Sequence, residues 1–449
     1  MRASLPRGYD AGEPATRALT FEQAAVSVPA HLSPGVPQTH TPPGARVANT
    51  MGREKFPGAS DADWRDWRWQ QRNALRTAED LARVVDLTDA ERRGLAGTAG
   101  RFRVAVTPYY ASLMDALHPF CPIRMQAVPV ADEASEAAGD LTDPLGEDRH
   151  RPVRAVVHRY PDRVLFLATD TCAVYCRHCT RRRITGGGEG AFDRAEAEAG
   201  IAYVRAHREL REVIVSGGDP LVLGDERLAW LLGELRAVRH VEVLRLATRA
   251  PVTCPMRIDD ALARLLRRVK PLFVITHFNH PKECTPEAQE ACERLVDAGI
   301  PVENQTVLLR RVNSSARTIA GLNRRLLSWR VRPYYLHQGD VAAGTAHFRT
   351  PLACGVDILR RLRAGTSGLA VPHLAVDLPG GGGKITIQPS YASPPPPLRA
   401  GAAPGDGVAA SPAGTWFRSP RGELCFYPDP PEADCGCPYD EVFYAAAEE

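Results

Sequence analysis

The chain has 449 residues, of which 44% are hydrophobic and 24% charged, and its formal net charge is only +3. That is the profile of a soluble globular protein with room for one large core or two ordinary ones. No block of like charge points to nucleic acid or a membrane surface, no run of about 18 or more apolar residues spans a bilayer, and no apolar stretch behind a basic start marks a secretory signal. Eleven cysteines, an odd number, argue against a disulfide framework and for metal ligation by some of them in a reducing, cytoplasmic compartment.

Residues 1–50 are rich in Pro, Gly, Ala and Thr, have no period of either kind, and read as a disordered tail. Ser60, with Asp63 three residues on, is a helix-start signal. Trp64, Trp67 and Trp69 then open a helical stretch predicted to run to about Leu87. A second helix is predicted over Asp89–Val106, and together these make a helical N-terminal domain over 51–150. Over 151–391 short apolar runs alternate with amphipathic segments. The predicted strands are Val164–Ala168, Val213–Val215, Val243–Ala247, Leu272–Thr276, Thr306–Leu309, Tyr334–Leu336 and Val371–Val376. Helical patterns such as Glu226–Val238, Asp260–Val269, Pro286–Ala298 and Thr318–Trp329 lie between them. Near-continuous apolar strands alternating with helices predict an α/β fold, a parallel sheet closing into a partial (β/α) barrel with its chemistry at the C-terminal ends of the strands. The proline run Pro394–Pro397 then marks a linker, and 392–449 reads as linker plus irregular C-terminal extension.

Cys172, Cys176 and Cys179 form a C-x3-C-x2-C cluster directly after the first predicted strand. Thiolates are the natural ligands of iron–sulfur clusters. Three of them on one loop hold three corners of a four-iron cube and leave one iron open to a substrate-like molecule. Structural zinc wants four protein ligands, usually as paired C-x2-C. Accidental proximity, or zinc with a distant fourth ligand, is the bland alternative; the position at the mouth of a barrel weighs against it. The Gly380–Gly383 run before Lys384 is not a Walker loop, because Ile385 follows the lysine and the spacing is absent. Taken alone, Lys384 reads as a surface lysine, Arg159 and Arg163 as solvated residues flanking a strand, Asp340 and Asp377 as caps or surface charges, and Arg181-Arg182-Arg183 as a solvated turn.

The segment from Tyr160 to Arg183, YPDRVLFLATDTCAVYCRHCTRRR, resembles the cluster loop of the lysine 2,3-aminomutase family of radical S-adenosylmethionine enzymes. The likeness continues through SGGDPL (Ser216–Leu221), LATRAPVTCPMRI (Leu246–Ile258), THFNHP (Thr276–Pro281), ENQTVLLRRVN (Glu303–Asn313), RPYYLHQGD (Arg332–Asp340), HFRTPL (His347–Leu352) and DLPGGGGK (Asp377–Lys384). It runs from near Ser60 to about Tyr391.

The resemblance implies a [4Fe-4S] cluster on Cys172, Cys176 and Cys179, and S-adenosylmethionine against Ser216, Gly217, Gly218 and Asp219 with His277 and Gln305 lining the pocket. It implies pyridoxal 5′-phosphate on Lys384, with Arg159, Tyr160 and Arg163 at the phosphate, where a planar guanidinium suits an oxyanion. Arg181 matches the residue for the substrate carboxylate, and Asp340 and Asp377 match the two carboxylates that hold the distal ammonium of lysine. The implied reaction is a radical 2,3-amino shift, L-lysine to L-β-lysine, fed by an electron donor such as flavodoxin or ferredoxin, in a homo-oligomer. The sequence departs from the lysine enzymes where they resemble YQCD and it reads His337-Gln338-Gly339-Asp340. The smaller Gly339 leaves room for a guanidinium, so L-arginine is the alternative substrate, its product a building block for natural-product biosynthesis. The family's zinc site uses a C-x-C-x2-C tail and a partner cysteine after VN. Here the tail carries only Cys435 and Cys437, and Ser314-Ser315 follow VN, so structural zinc is not expected, although Cys425 could substitute. A translation-factor-modifying relative and a plain iron–sulfur electron carrier are the competing readings; the carrier would need neither Lys384 nor the paired aspartates.

Overall fold

The structure, a computed structural model, describes residues 50–97, 102–135, 137–185, 193–395, 414–419 and 422–428. All of these lie in one compact unit that begins at Val47. The tail expected over 1–50 falls outside the described residues, apart from Thr50 at the start of a 3-10 turn. The helices are α1 (Asp61–Arg65), α2 (Trp67–Arg72), α3 (Ala78–Ala82), α4 (Asp89–Gly97), α5 (Pro108–Ser112), α6 (Pro122–Ala127), α7 (Arg194–Ala206), α8 (Asp225–Arg236), α9 (Ala250–Thr253), α10 (Asp260–Arg267), α11 (Pro286–Asp297), α12 (Ala316–Ser328) and α13 (Leu352–Gly365). The strands are β1 (Val156–Tyr160), β2 (Arg163–Thr169), β3 (Glu212–Gly217), β4 (Val243–Ala247), β5 (Leu272–Thr276), β6 (Val302–Leu308), β7 (Val331–Gln338), β8 (His373–Leu378), β9 (Gly383–Ile387), β10 (Gly414–Arg418) and β11 (Leu424–Pro428).

Ser60 does cap a helix, through a reciprocal box with Asp63, but the single helix expected to reach Leu87 is three. The Asp66 carboxylate accepts from the backbone N–H groups of Arg68 and Trp69 and so starts α2, and Thr77 with Asp80 starts α3. Each extra cap offers the backbone a partner outside the running helix, and the chain turns there. The helix expected to reach Val106 is described as far as Gly97, residues 102–106 are not helical, and Val106 instead exchanges backbone hydrogen bonds with Leu75.

Strands β1 to β9 form one nine-stranded sheet in sequential order. β2 through β8 run parallel, with Val164 beside Val213, Val213 beside Leu244 and Leu244 beside Leu272. One face of these strands is fully buried, with Val213, Val215, Leu244, Leu246 and Val274 wholly covered, while alternate positions such as Ile214 and Arg245 are half-buried and line the cavity. The helices between strands bury one stripe each, Leu228, Leu231, Leu232 and Leu235 on α8, for example. Antiparallel β1 and β9 flank this core, and both correct the sequence-based expectation. Arg159 and Tyr160 lie within β1 rather than ahead of the first strand, and Arg163 opens β2. Lys384 sits on β9, not on a loop. Gly380, Gly381 and Gly383 take positive φ, which only glycine adopts freely, and this reverses the chain after β8 so that Lys384 pairs across the ladder with Asp377.

β1 and the chain just before it are joined to β8, β9 and the turn between them. The Tyr160 hydroxyl accepts from the Lys384 N–H at 2.9 Å, Arg159 Nη2 donates to Asp377 at 3.1 Å, and the Gly380 N–H donates to the Pro144 carbonyl at 2.9 Å. The mixed sheet is thus a nearly closed barrel. The segment expected to be an irregular extension contains the hairpin β10–β11, bridged back through Ala392 and Phe417. Among the described residues no helix is long and apolar enough to cross a membrane.

Candidate active site

A cavity of about 770 Å3 opens among the C-terminal ends of the parallel strands. Cys172, Cys176, Cys179, Arg181, Ser216, Gly217, Gly218, Asp219, His277 and Gln305 all line it, and so do Arg159, Tyr160, Arg163, Asp340, Asp377 and Lys384. Residues drawn from β1 to β9 therefore share one space.

The cysteine loop joins β2 to α7, and its backbone is held by the N-terminal region. The Tyr175 N–H donates to the Ala105 carbonyl at 3.1 Å and the Arg177 N–H to the Gln126 carbonyl at 2.9 Å. Glu133 takes the Arg177 guanidinium at both oxygens and also takes Arg182. The triple arginine run is no solvated turn. Arg181 Nε donates to Glu147 at 2.8 Å, Arg182 Nη1 to the Gly344 carbonyl at 2.7 Å, and Arg183 Nη1 to Asp148 at 2.7 Å. Phe102, Ala105 and Tyr175 form an apolar wall behind Cys172 and Cys179.

The Ser216–Asp219 turn locks the loop to β3. The Gly218 N–H reaches the Thr169 carbonyl at 2.6 Å and the Asp219 N–H the Thr171 carbonyl at 2.9 Å. A Cβ on Gly218 would lie 2.3 Å from the Thr171 carbonyl oxygen, so the approach requires glycine. The Asp219 carboxylate is turned into the protein, where it accepts from Thr248 Oγ1 at 2.6 Å and from the Leu221 and Arg249 N–H groups at 3.0 and 2.8 Å.

Charge is arranged unevenly. Burial pushes the Cys172 and Cys179 thiols up, and the neighbouring cysteines push them further. Arg249 Nη1 donates to Cys176 Sγ at 2.7 Å. Burial, with Arg249 adding, pushes His277 down to about 4, and burial with Lys384 pushes His337 down to about 3. Both rings are neutral at pH 7. Lys384 Nζ donates to Asp377 and lies 3.3 Å from His337 Nδ1. Burial works against the Asp377 charge, but Lys384 and Arg159 outweigh it and hold its carboxyl below the usual range. Asp340 has no hydrogen bond or ion pair among the described residues. Burial, with Asp377 adding, pushes its carboxyl up to about 7.

The residues fit the implied groups. On the cavity wall, His178, between Cys176 and Cys179, has a buried Nδ1 and Gln338 a buried Oε1 that meet no partner among the described residues, as in a site built around a guest. Among the described residues no three His, Cys, Asp or Glu side chains are placed to hold one metal ion. Three thiols lining one cavity suit separate irons of a cube better than a single ion. At the other cofactor position, Arg159 and Arg163 lie over the Tyr160 ring at 4.9 and 3.9 Å beside Lys384, a cationic, planar donor set suited to a phosphate and a ring.

Residues 166–320 match the radical SAM superfamily and residues 359–394 the lysine-2,3-aminomutase C-terminal model. An L-lysine 2,3-aminomutase of Fusobacterium nucleatum is 47% identical over 345 residues, covering 76% of this chain and 81% of that protein. The chain belongs to the lysine 2,3-aminomutase family. An L-lysine 2,3-aminomutase of Bacillus subtilis is 44% identical over 84% of this chain and 77% of its own length. The glutamate 2,3-aminomutase of Clostridioides difficile is 40% identical over 74% of this chain and 78% of its own.

As a member of the lysine 2,3-aminomutase family the protein is an isomerase with the [4Fe-4S] cluster and S-adenosylmethionine of the radical SAM superfamily, and lysine 2,3-aminomutases use pyridoxal phosphate as well. The superfamily match contains the cysteine loop, the Ser216–Asp219 turn, His277 and Gln305; the C-terminal match contains Asp377 and Lys384. Cys435 and Cys437 lie outside the described residues, Cys425 is exposed on β11, and Ser315 caps α12. Glu147 and Arg249 are site residues that sequence reasoning passed over. Each stands out only by its partner, Arg181 and Cys176, far away in the chain.

Proposed function

We propose that this protein is a radical S-adenosylmethionine, pyridoxal phosphate-dependent 2,3-aminomutase that moves the α-amino group of a basic L-amino acid to its β-carbon, with L-lysine the first substrate. One observation carries the choice: Asp340 lies half-buried on the cavity wall with no direct ion pair among the described residues, beside a second carboxylate, Asp377, that has two. A partly desolvated carboxylate with no ion partner in contact favours a cationic guest. An ammonium brought to Asp340 supplies that charge, and glutamate cannot.

Arg181 is positioned by Glu147 through its Nε, and among the described residues no hydrogen bond takes its terminal nitrogens, which would hold the substrate carboxylate. Cys172, Cys176 and Cys179 would hold the cluster, and Ser216 to Asp219 with His277 and Gln305 would face S-adenosylmethionine. Lys384, Arg159, Tyr160 and Arg163 would hold pyridoxal phosphate. When bound, these groups supply the hydrogen-abstracting radical and the covalent, spin-delocalising handle for the amine. The chain's own part is placement and exclusion of water. Asp377 keeps the Lys384 ammonium close, neutral His337 offers Nδ1 as an acceptor for it, and Val174, Val307, Leu309 and Phe348 dry the walls. A one-electron donor of the flavodoxin or ferredoxin type would feed the cluster.

L-arginine is the second reading, on one feature. A Cβ built on Gly339 meets nothing closer than 3.7 Å, so there is open space beside Asp340 for a flatter head group. The test is anaerobic incubation of the iron- and sulfide-reconstituted protein with S-adenosylmethionine, pyridoxal phosphate and lysine, arginine or glutamate, with products identified by mass and retention. β-Lysine is expected from lysine and nothing from glutamate, and Lys384→Ala should lose at least ~10^3-fold in rate. β-Arginine without β-lysine would select the second reading. Turnover of glutamate alone would overturn both.

A further inference from the structure

We propose that Arg249 sets the reduction potential of the iron–sulfur cluster, by fixing a hydrogen bond and a positive charge on the sulfur of Cys176. This rests on the reading that Cys172, Cys176 and Cys179 hold the cluster.

The guanidinium has its two arms in different roles. Nη2 is anchored by three acceptors, Glu283 Oε1 at 2.7 Å, Gln126 Oε1 at 2.6 Å and the Tyr110 hydroxyl at 3.1 Å, while Nε donates to the His277 carbonyl at 3.1 Å. Nη1 goes to Cys176 Sγ at 2.7 Å. The anchor is itself rigid. Glu283 Oε1 also accepts from Tyr110 and from Gln126 Nε2, and its Oε2 takes the Asn279 and His280 N–H groups at 2.6 and 3.0 Å. The backbone of Arg249 is pinned by Asp219, in the same turn that locks the cysteine loop. An arginine present only to balance Glu283 would be satisfied by its anchored arm. Here the other arm is carried to one sulfur and to neither of the others: Cys179 Sγ has only Thr185 Oγ1 at 3.8 Å, and no hydrogen bond reaches Cys172 Sγ among the described residues.

The pair is almost dry, with side-chain exposure of 9% for Arg249 and 0% for Glu283, so the guanidinium charge is little screened. Reduction adds one electron, taken from a one-electron donor, and makes the cluster and its thiolates more negative by one charge; no atom is transferred. A fixed N–H donor and cation at a ligand sulfur favour the more negative state and so raise the potential. Arg249 touches neither substrate nor reacting atoms in this role, and is a positioning residue.

The experiment compares the full-length reconstituted protein with Arg249→Gln and Arg249→Lys, without substrate. Iron and sulfide content are measured first, and then the midpoint potential by anaerobic titration followed by electron paramagnetic resonance. Arg249→Gln should load as the parent does. At a fixed ambient potential its ratio of reduced to oxidised cluster should fall at least tenfold, which is about 59 mV for one electron. Arg249→Lys, keeping the charge without the fork, should fall between the two. Potentials equal to the parent's in both variants overturn the proposal, and so does failure of both to load iron, which would make Arg249 a scaffold residue. Cys176→Ala serves as the control for the underlying reading. If it keeps the parent's cluster signal, the ligand assignment has failed rather than the role of Arg249.

Discussion

Asp340 and Asp377 bring the same charge into the same cavity, but their surroundings separate them. Asp377 pairs directly with Lys384 and Arg159, whereas Asp340 has no direct ion pair among the described residues. Burial, with Asp377 adding, outweighs the more distant Lys384, Arg181 and Arg159 and pushes the Asp340 carboxyl up to about 7. The sign of the pH effect follows. A substrate ammonium favours the ionised form of Asp340, so below about 7 binding must expel a proton, and lysine affinity should fall as pH drops through that value and level off above it. Calorimetry of lysine binding in buffers of different ionisation enthalpy would show the released proton. Asp340→Asn should remove the proton release and weaken lysine binding about 10- to 100-fold, or ~1.4–2.8 kcal/mol. Undiminished binding with the same pH profile would place the ammonium elsewhere. The arginine run teaches a related lesson at this scale. Residue type predicts solvated charge, but Glu133, Glu147 and Asp148 bring three acids to three consecutive arginines.

Among the elements, the parallel strands β2 to β8 were readable from sequence because one face is fully buried and much of the other lines a cavity rather than open solvent, although β6 begins at Val302 and not at the expected Thr306. β1 and β9 were not, since each is a short antiparallel edge with polar residues, and β9 stands behind a glycine turn that reads as loop. The N-terminal helices were misread as long for another reason: Asp66 and Thr77 restart the helix by capping it, which outweighs the spacing of the tryptophans. The close crossing of β2 and β3 offers a test at this scale. Gly218→Ala places a methyl against the Thr171 carbonyl and should destabilise the protein by about 1–3 kcal/mol while lowering iron incorporation. Gly224→Ala, where a Cβ meets nothing within 4 Å, is the matched control and should change stability by less than ~0.5 kcal/mol. Thermal unfolding and iron analysis of the pair check both.

At the scale of the molecule, the helical N-terminal region is part of the site. It supplies carbonyls from Ala105 and Gln126 and the carboxylate of Glu133 to the cysteine loop. α5 in turn is fastened to the barrel, with Thr107 Oγ1 donating to the Thr253 carbonyl at 2.6 Å and the Tyr109 and Thr285 hydroxyls 2.5 Å apart. Glu133→Ala should therefore cost more than a substitution in a short turn usually does, because the Glu133 side chain is itself buried. It leaves Arg177, whose side chain is fully buried, and Arg182 without their shared acid, at about 3–5 kcal/mol. Urea unfolding of the apoprotein measures that cost. Iron loading should fall with it if the N-terminal region holds the loop in place.

By itself the sequence determined the cysteine spacing, the barrel of parallel strands and the set of residue types a cluster, a phosphate and a basic amino acid require. These are local properties: spacing along one loop, periodicity along one strand, the chemistry of single side chains. Only the tertiary structure decided that β1 meets β8 and β9 through Tyr160, Lys384, Arg159 and Asp377, that Asp377 has direct ion pairs while Asp340 has none among the described residues, and that Arg249 reaches Cys176 from 73 residues away. Burial and charge pairing depend on which segments pack together, and that is settled by non-local contacts that no short window of sequence contains.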